Sequence, residues 1–305
     1  MDLSLIQGIL VGALLSGTSV LYATIGEVLV ERAGIVNLGL EGVMLVGACI
    51  AFITTSLTGN ATIGVVAAAL AGGLFNLILG FVVINRHANQ LASGLALMFL
   101  GLGLTALMGK TFVGKMIEGI PVLPIPYLSN IPFFGKVFFD YDILVYLVIP
   151  TAILMWWILY RTRWGLQVRS VGESVVASFA AGLNPALLRY QALFLGGILG
   201  GIGGAHISIA LTNTWVEAMT AGRGFIAVAL VIFSMWNPIR AIVGAFLFGG
   251  AVALQLQLQV RGVSISPFLL DMIPYVLTMI VVMAWGGSRK HNAPASLGQV
   301  YQDQE

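Results

Sequence analysis

Apolar runs of roughly twenty residues recur along the chain, separated by short polar or glycine-rich breaks. A run of that length matches the hydrocarbon core of a bilayer when wound as a helix. Nine such runs are read as crossings: Leu3–Gly26, Leu38–Leu57, Ile63–Ile84, Leu91–Met108, Ile143–Tyr160, Tyr190–Leu211, Gly224–Trp236, Ile239–Val260 and Phe268–Trp285. Gly224–Trp236 is short for a full span, so it either begins earlier or is a broken helix.

Three segments do not follow the pattern. Residues 110–142 (KTFVGKMIEGIPVLPIPYLSNIPFFGKVFFDYD) hold four prolines and mixed charge, and read as an external loop lying against the bilayer surface. Residues 161–189 form a loop large enough to be structured, and residues 287–305 read as a loose polar tail. Residues 1–286 thus make one transmembrane domain with no soluble domain attached.

Composition agrees. Of 305 residues, 59% are hydrophobic and only 9% charged, too few charges to cover a water-soluble domain of this size. The net charge of +2 is scattered, which argues against nucleic acid as a partner. A single cysteine, Cys49, excludes an intrachain disulfide and a cysteine-built metal site. The start, MDLSLIQ, lacks the basic residues of a secretory signal, so its apolar run is kept as a helix.

Basic residues orient the chain. With the 161–189 loop in the cytoplasm, Arg32, Arg86, Arg161, Arg163, Arg169, Arg189, Arg240, Arg289 and Lys290 fall inside, nine of the 14. Lys110, Lys115, Lys136, Arg223 and Arg261 fall outside, the remaining five. The N-terminus is then external and the C-terminus cytoplasmic.

Few groups carry chemistry. GLTALMGKT, Gly103–Thr111, imitates a phosphate-binding loop, but five residues separate Gly103 from Gly109 where the rule needs four, and no strand precedes it. His87, His206 and His291 lack metal-ligand spacing. His206 lies in a crossing and is expected to make a helix-to-helix hydrogen bond, whereas Asp271 is expected to be a solvated or capping acid near the outer edge. In Gly196–Ala205 (GGILGGIGGA), Gly196, Gly200 and Gly204 fall four apart, as do Gly197 and Gly201. Such a face lets helix backbones approach closely, either as a static seam or as a sliding contact.

In the cytoplasmic loop, Gly172, Glu173 and Ser174 open a short helix, Gly182 ends it and Pro185 forbids continuation. Val175, Val176, Phe179 and Leu183 give that helix one apolar face, and Ala177, Ser178 and Ala181 leave the other small. It suits docking into a groove of another protein, or resting on the membrane surface. The stretch Glu31–Gly42 (ERAGIVNLGLEG) ends the first loop with Asn37 and Glu41 already inside the next apolar run. Its glycines make bending cheap, and non-helical backbone at that depth must face protein or water. It is read as a broken start of the second crossing, against the plainer reading of an inside loop.

Several segments together resemble one family. ERAGIVNLGLEGVMLVGA (Glu31–Ala48) is similar to the signature of bacterial ABC-transporter permeases for nucleosides and simple sugars, a group that includes ribose-type and branched-chain amino acid permeases. NQLASGLALMFLGLGLT (Asn89–Thr105), TRWGLQVRSVGES with the following AAGLNP (Thr162–Pro185), and AGRGFIAVALVIFSMWNPIRAIVGAFLFGG (Ala221–Gly250) resemble it too, so the likeness covers about residues 5 to 286. The form of the first segment looks like the nucleoside permeases; ribose-type relatives carry a glycine-isoleucine-aspartate-leucine-serine version there.

The resemblance implies an all-α, polytopic fold of the larger, type II-like importer class, in the inner membrane. It implies a second permease subunit, a cytoplasmic ATPase and an extracytoplasmic substrate-binding lipoprotein as partners, and a nucleoside as substrate. No cofactor would sit on this chain, ATP and Mg acting at the ATPase. Asn37, Glu41, Asn89, Gln90 and Ser93 would line or support the path. Arg169, Gly172, Glu173, Ala177, Ala181 and Gly182 would form the ATPase contact, with Glu173 and Gly182 echoing the family's contact motif. Asn213, Trp215 and Glu217 would meet the binding protein. A sugar or another small polar metabolite, or a self-sufficient secondary carrier, are the competing readings.

Overall fold

A computed structural model describes residues 3–262, 266–286 and 293–299. All nine predicted crossings are helical. They are α1 (Leu3–Arg32), α2 (Leu40–Thr58), α3 (Ala61–Gly80), α4 (Gln90–Gly109), α6 (Ile143–Arg161), α9 (Pro185–His206), α10 (Arg223–Phe233), α11 (Pro238–Val260) and the pair α12 (Pro267–Asp271) and α13 (Ile273–Gly286). Among the described residues seven of these segments are long and apolar enough to cross alone; α10 and the α12–α13 pair are the short ones. Single π turns extend α3 (Phe81–Asn85) and α9 (Ile207–Leu211). Short elements complete the chain: α5 (Phe134–Phe138), the hairpin β1 (Val122–Pro124) with β2 (Asp140–Asp142), α7 (Arg163–Glu173) and α8 (Val175–Ala180).

Helix α9 is the central post, packed against α1, α2 and α3. The glycine face explains how. A Cβ at Gly204 would lie 1.9 Å from the carbonyl oxygen of Met44 on α2, and one at Gly201 would lie 2.2 Å from that of Ala68 on α3. Lipid offers no hydrophobic drive for helices to associate, so close backbone approach and dispersion contact must hold them. Helix α11 lies along α1, and α6 and α10 flank α1 as well.

The polar ends sort as the basic residues require. The guanidinium of Arg32, at the end of α1, donates to the Tyr160 hydroxyl (3.1 Å) and to the Trp236 carbonyl (3.2 Å), and that of Arg189 donates to the Ala33 carbonyl (3.0 Å). The C-terminal ends of α1, α6 and α10 and the start of α9 therefore converge on one end of the bundle, here termed the basic end. At the opposite end Trp215 is buried over Gly109, and the Ile120 amide donates to the Ile209 carbonyl (2.7 Å).

Three expectations change. Helix α1 does not stop at Gly26 but runs on to Arg32, because Glu27 and Glu31 are buried inside the bundle rather than solvated. The short helix opens where expected, since Ser174 is extended (φ −153°) and its side chain accepts the Ala177 amide to cap α8, but it ends at Ala180 and a further helix, α7, directly precedes it. The tail is not loose throughout, since residues 293–299 pack back on the basic end with Ser296 buried. His291, Arg289 and Lys290 lie outside the described residues, as does the side chain of Asp271.

Candidate functional site

The helix breaks after Arg32, and the chain turns back through Ala33–Gly39 before α2 begins. Gly34 takes φ +85°, a left-handed conformation that glycine reaches without steric cost. An unwound segment at this depth exposes backbone groups that need partners, and side chains from three helices supply them. The Asn37 amide donates to Glu27 Oε1 (3.1 Å), and Gln90 accepts from the Val36 amide (2.8 Å) while its Nε2 donates to the Gly34 carbonyl (3.3 Å). Asn37 Nδ2 donates to Asn76 Oδ1 (3.0 Å), and Asn76 Nδ2 donates to the Leu193 carbonyl (2.7 Å). That chain of donors fixes both amides and, among the described residues, leaves Asn37 Oδ1 and Glu27 Oε2 without hydrogen-bond partners. Beside it, the Trp236 indole N–H donates to Glu31 Oε2 (2.6 Å).

Glu41 governs a second break. Gly200 of α9 lies against Leu40 and Val43, eleven residues beyond Arg189 at the basic end. At 1.5 Å per residue that is roughly 16 Å, near the middle of a bilayer core of about 30 Å. Here α10 begins. Its chain descends from Trp215 at the opposite end, reaches the Glu41 carboxylate, and only then winds into helix toward the basic end. Glu41 Oε1 accepts from the Thr220 hydroxyl (2.5 Å) and the Gly222 amide (2.8 Å), and Oε2 accepts from the Gly224 amide (2.6 Å). A carboxylate at a helix N-terminus satisfies orphan N–H groups and complements the helix dipole. Gly224 is required by proximity, since a Cβ there would lie 2.5 Å from Glu41 Cα. The short seventh run is thus a half-helix starting near mid-membrane.

At the basic end, α8 presents an outward surface. Val176 (52% exposed) and Phe179 (59% exposed) face outward, and Ser178 is buried with its hydroxyl 2.7 Å from that of Ser170. Val176 and Phe179 thus lie on the free side and Ser178 on the packed one. Ala177, Ala181, Glu173 and Gly182 are exposed alongside, with Gly182 at φ +79° ending the turn. A cleft of about 370 Å³ beside α8 is lined by Arg32, Tyr160, Leu166, Arg169, Ser170 and Glu173, with the Arg169 guanidinium 5.0 Å from the Tyr160 ring centre. Gly172 is buried, not exposed, because a Cβ there would lie 2.1 Å from the Arg32 carbonyl oxygen.

The other predicted residues divide. Asn37, Glu41 and Gln90 come together around the two breaks. Asn89 is exposed and caps α4 by accepting the Ala92 amide (3.0 Å), apart from the two breaks; Ser93 is half-buried one turn on. Glu217 is exposed, whereas Trp215 (1% exposed) has no face free for a docking protein and pins the loop over Gly109. Asn213 is half-buried, and its carbonyl accepts the Ile117 amide (3.1 Å). Among the described residues the His206 imidazole finds no hydrogen-bond partner; its Nε2 stands 3.7 Å from Asp142 Oδ2, with both side chains buried. Glu27, Asn76, Thr220 and Trp236 were not anticipated. The signal for Asn76 was available: it is the one amide inside an otherwise apolar run, Ala61–Gly80.

A glycine-seamed helical bundle with two broken helices meeting near mid-membrane defines a multi-pass membrane protein with polar chain breaks inside it. Residues 9–283 match the family described as "Branched-chain amino acid transport system / permease component", and the chain belongs to that family of plasma-membrane permeases. The nucleoside ABC transporter permease protein NupC of Lactococcus lactis is 36% identical over 309 residues, 97% of this chain and 97% of its own. The guanosine ABC transporter permease protein NupQ of Bacillus subtilis is 35% identical over 321 residues, covering 99% and 98%. The putative glucose ABC transporter permease protein TsgC13 of Haloferax volcanii is 39% identical over 269 residues, covering 87% and 82%.

Proposed function

We propose that this chain is the permease subunit of an ATP-binding-cassette importer that carries nucleosides. The observation that carries the reading is full-length similarity to two permeases named for nucleosides, against the shorter match to one named for glucose. The basic end faces the cytoplasm, following the bias of arginine and lysine. A cytoplasmic ATPase docks on α8 through Val176, Phe179, Ala177 and Ala181, with Glu173 and Arg169 at the adjoining cleft. ATP and Mg act there, on the partner. A second permease subunit completes the path, and a substrate-binding lipoprotein delivers nucleoside at the opposite end, where Glu217 is available and Asn213 shapes the loop.

Within the chain, Glu41, Asn37 and Gln90 support the gate. They hold two helix breaks whose backbone groups can exchange partners when the bundle switches sides. A ligand or nucleotide shifts that balance only by binding one state better than the other. The test is uptake of labelled guanosine by cells carrying the whole cassette, with unlabelled nucleosides and glucose as competitors. Competition by nucleosides alone, abolished by ATP depletion, supports the reading. Competition by glucose alone would replace it with the sugar reading, and uptake by the lone subunit under an ion gradient would replace it with a secondary carrier.

A further inference from the structure

Residues 293–299 are wedged between the loop that bears α8 and the broken turn Ala33–Gly39. We infer that this C-terminal segment is a coupling strap that holds α7–α8 in register with the broken turn, with Ser296 as its positioning residue. The inference rests on the reading of α8 as the ATPase contact.

Two side chains each grip both the strap and the turn. Arg189 donates through Nε to the Ala33 carbonyl (3.0 Å) and through Nη2 to the Ser296 hydroxyl (3.2 Å). Gln90 donates through Nε2 to the Gln299 carbonyl (2.7 Å) and the Gly34 carbonyl (3.3 Å), and accepts the Val36 amide (2.8 Å). The far side of the strap is tied to α7. Both the backbone amide and the hydroxyl of Ser296 donate to the Gly172 carbonyl (2.9 and 2.7 Å), two residues before Ser174 caps α8.

Steric fit is equally close. A Cβ at Gly34 would lie 2.1 Å from the Ser296 hydroxyl oxygen, and one at Gly172 would lie 3.3 Å from Pro294 Cβ. Leu297 packs at the edge of the main apolar core. Gly172 also lies close to the Arg32 carbonyl and to Gly34, where a Cβ on either glycine would meet the other segment's backbone. Among the described residues, Ser296 joins α7 to the turn by hydrogen bonds, through the Gly172 carbonyl on one side and Arg189 on the other. Displacement of α8 would therefore reach the turn as a pull on Gly172, then on Ser296, then on Arg189 and Ala33.

The experiment uses the assembled importer in proteoliposomes and measures nucleoside uptake and ATP hydrolysis on the same preparation. Ser296→Ala removes the hydroxyl that joins Gly172 to Arg189. The expected result is continued ATP hydrolysis with uptake per ATP lowered about five- to tenfold, the scale of one lost hydrogen bond, and recovery in Ser296→Thr. A second measurement needs no transport: hydrogen exchange of the isolated permease in detergent should quicken at residues 33–37 and 171–175 in Ser296→Ala. An unchanged uptake-to-ATP ratio, or exchange unchanged at both segments, overturns the strap. Failure of the wild-type importer to take up nucleosides would sink the substrate reading alone, because the exchange comparison does not depend on it.

Discussion

Replacing Glu41 by alanine tests whether one carboxylate holds the half-helix in place. The substitution removes the acceptor of the Gly222 and Gly224 amides and of the Thr220 hydroxyl. Thr220 is buried and Gly224 is enclosed by α2, so no water reaches them cheaply. The orphaned Gly224 N–H and Thr220 hydroxyl cost about 1–3 kcal/mol each, and a lost carboxylate at a helix N-terminus up to about 2 kcal/mol more. The total, about 2–8 kcal/mol, is a large part of the about 5–15 kcal/mol typical of a folded domain. At about 2–4 °C per kcal/mol, the purified permease should melt on the order of 10 °C lower by tryptophan fluorescence. Glu41→Gln should fall between: its carbonyl can still accept from Gly222 and Thr220, but its NH₂ meets the Gly224 amide donor to donor. Melting of Glu41→Ala within about 2 °C of wild type, with full uptake, would refute the clamp.

Other substitutions probe other parts. Gly204→Ala drives a Cβ into the Met44 carbonyl oxygen, so the permease should fail to accumulate as a monodisperse species on gel filtration. Gly103→Ala, with open space around it, should match or exceed wild-type melting because alanine favours helix by about 1 kcal/mol. Val176→Asp and Phe179→Asp alter side chains that are more than half exposed, so melting should hold while co-purification of the ATPase falls at least about tenfold, the size of a hot-spot loss. Trp236→Phe strips Glu31 Oε2 of its donor inside the bundle, and should destabilise the permease by about 1–3 kcal/mol in a denaturant titration.

The helical pattern was legible because a bilayer demands long apolar runs, and it holds even for the run Gly224–Trp236, whose shortness left an earlier start or a broken helix and which forms the half-helix α10. The glycine face of α9 was legible for a related reason: only close backbone contact gives four-residue glycine spacing a use in lipid. The opening of α8 at Ser174 was legible too, but α7 just before it was not, since Arg163–Glu173 carries no long apolar run. Nor could the inward face of α8 be foreseen. Val176 and Phe179 look like core residues by composition, yet a surface awaiting a partner has the same composition as a core.

Polar residues inside apolar runs show the limit most clearly. Asn37 and Glu41 announce themselves, because burying them costs energy that some partner must offset. Their partners do not. Asn76 stands 39 residues from Asn37, and Thr220 stands 179 from Glu41, a separation no periodicity records. The search can be narrowed, however. A bilayer allows few polar side chains per span, and each one buried away from an end must pair with another or with a broken backbone. Asn37, Asn76, Glu27, Glu31 and Glu41 satisfy that condition around only two chain breaks. Both polar knots join side chains to broken backbone, and between them the glycine seams of α9 hold neighbouring helices by close dispersion contact.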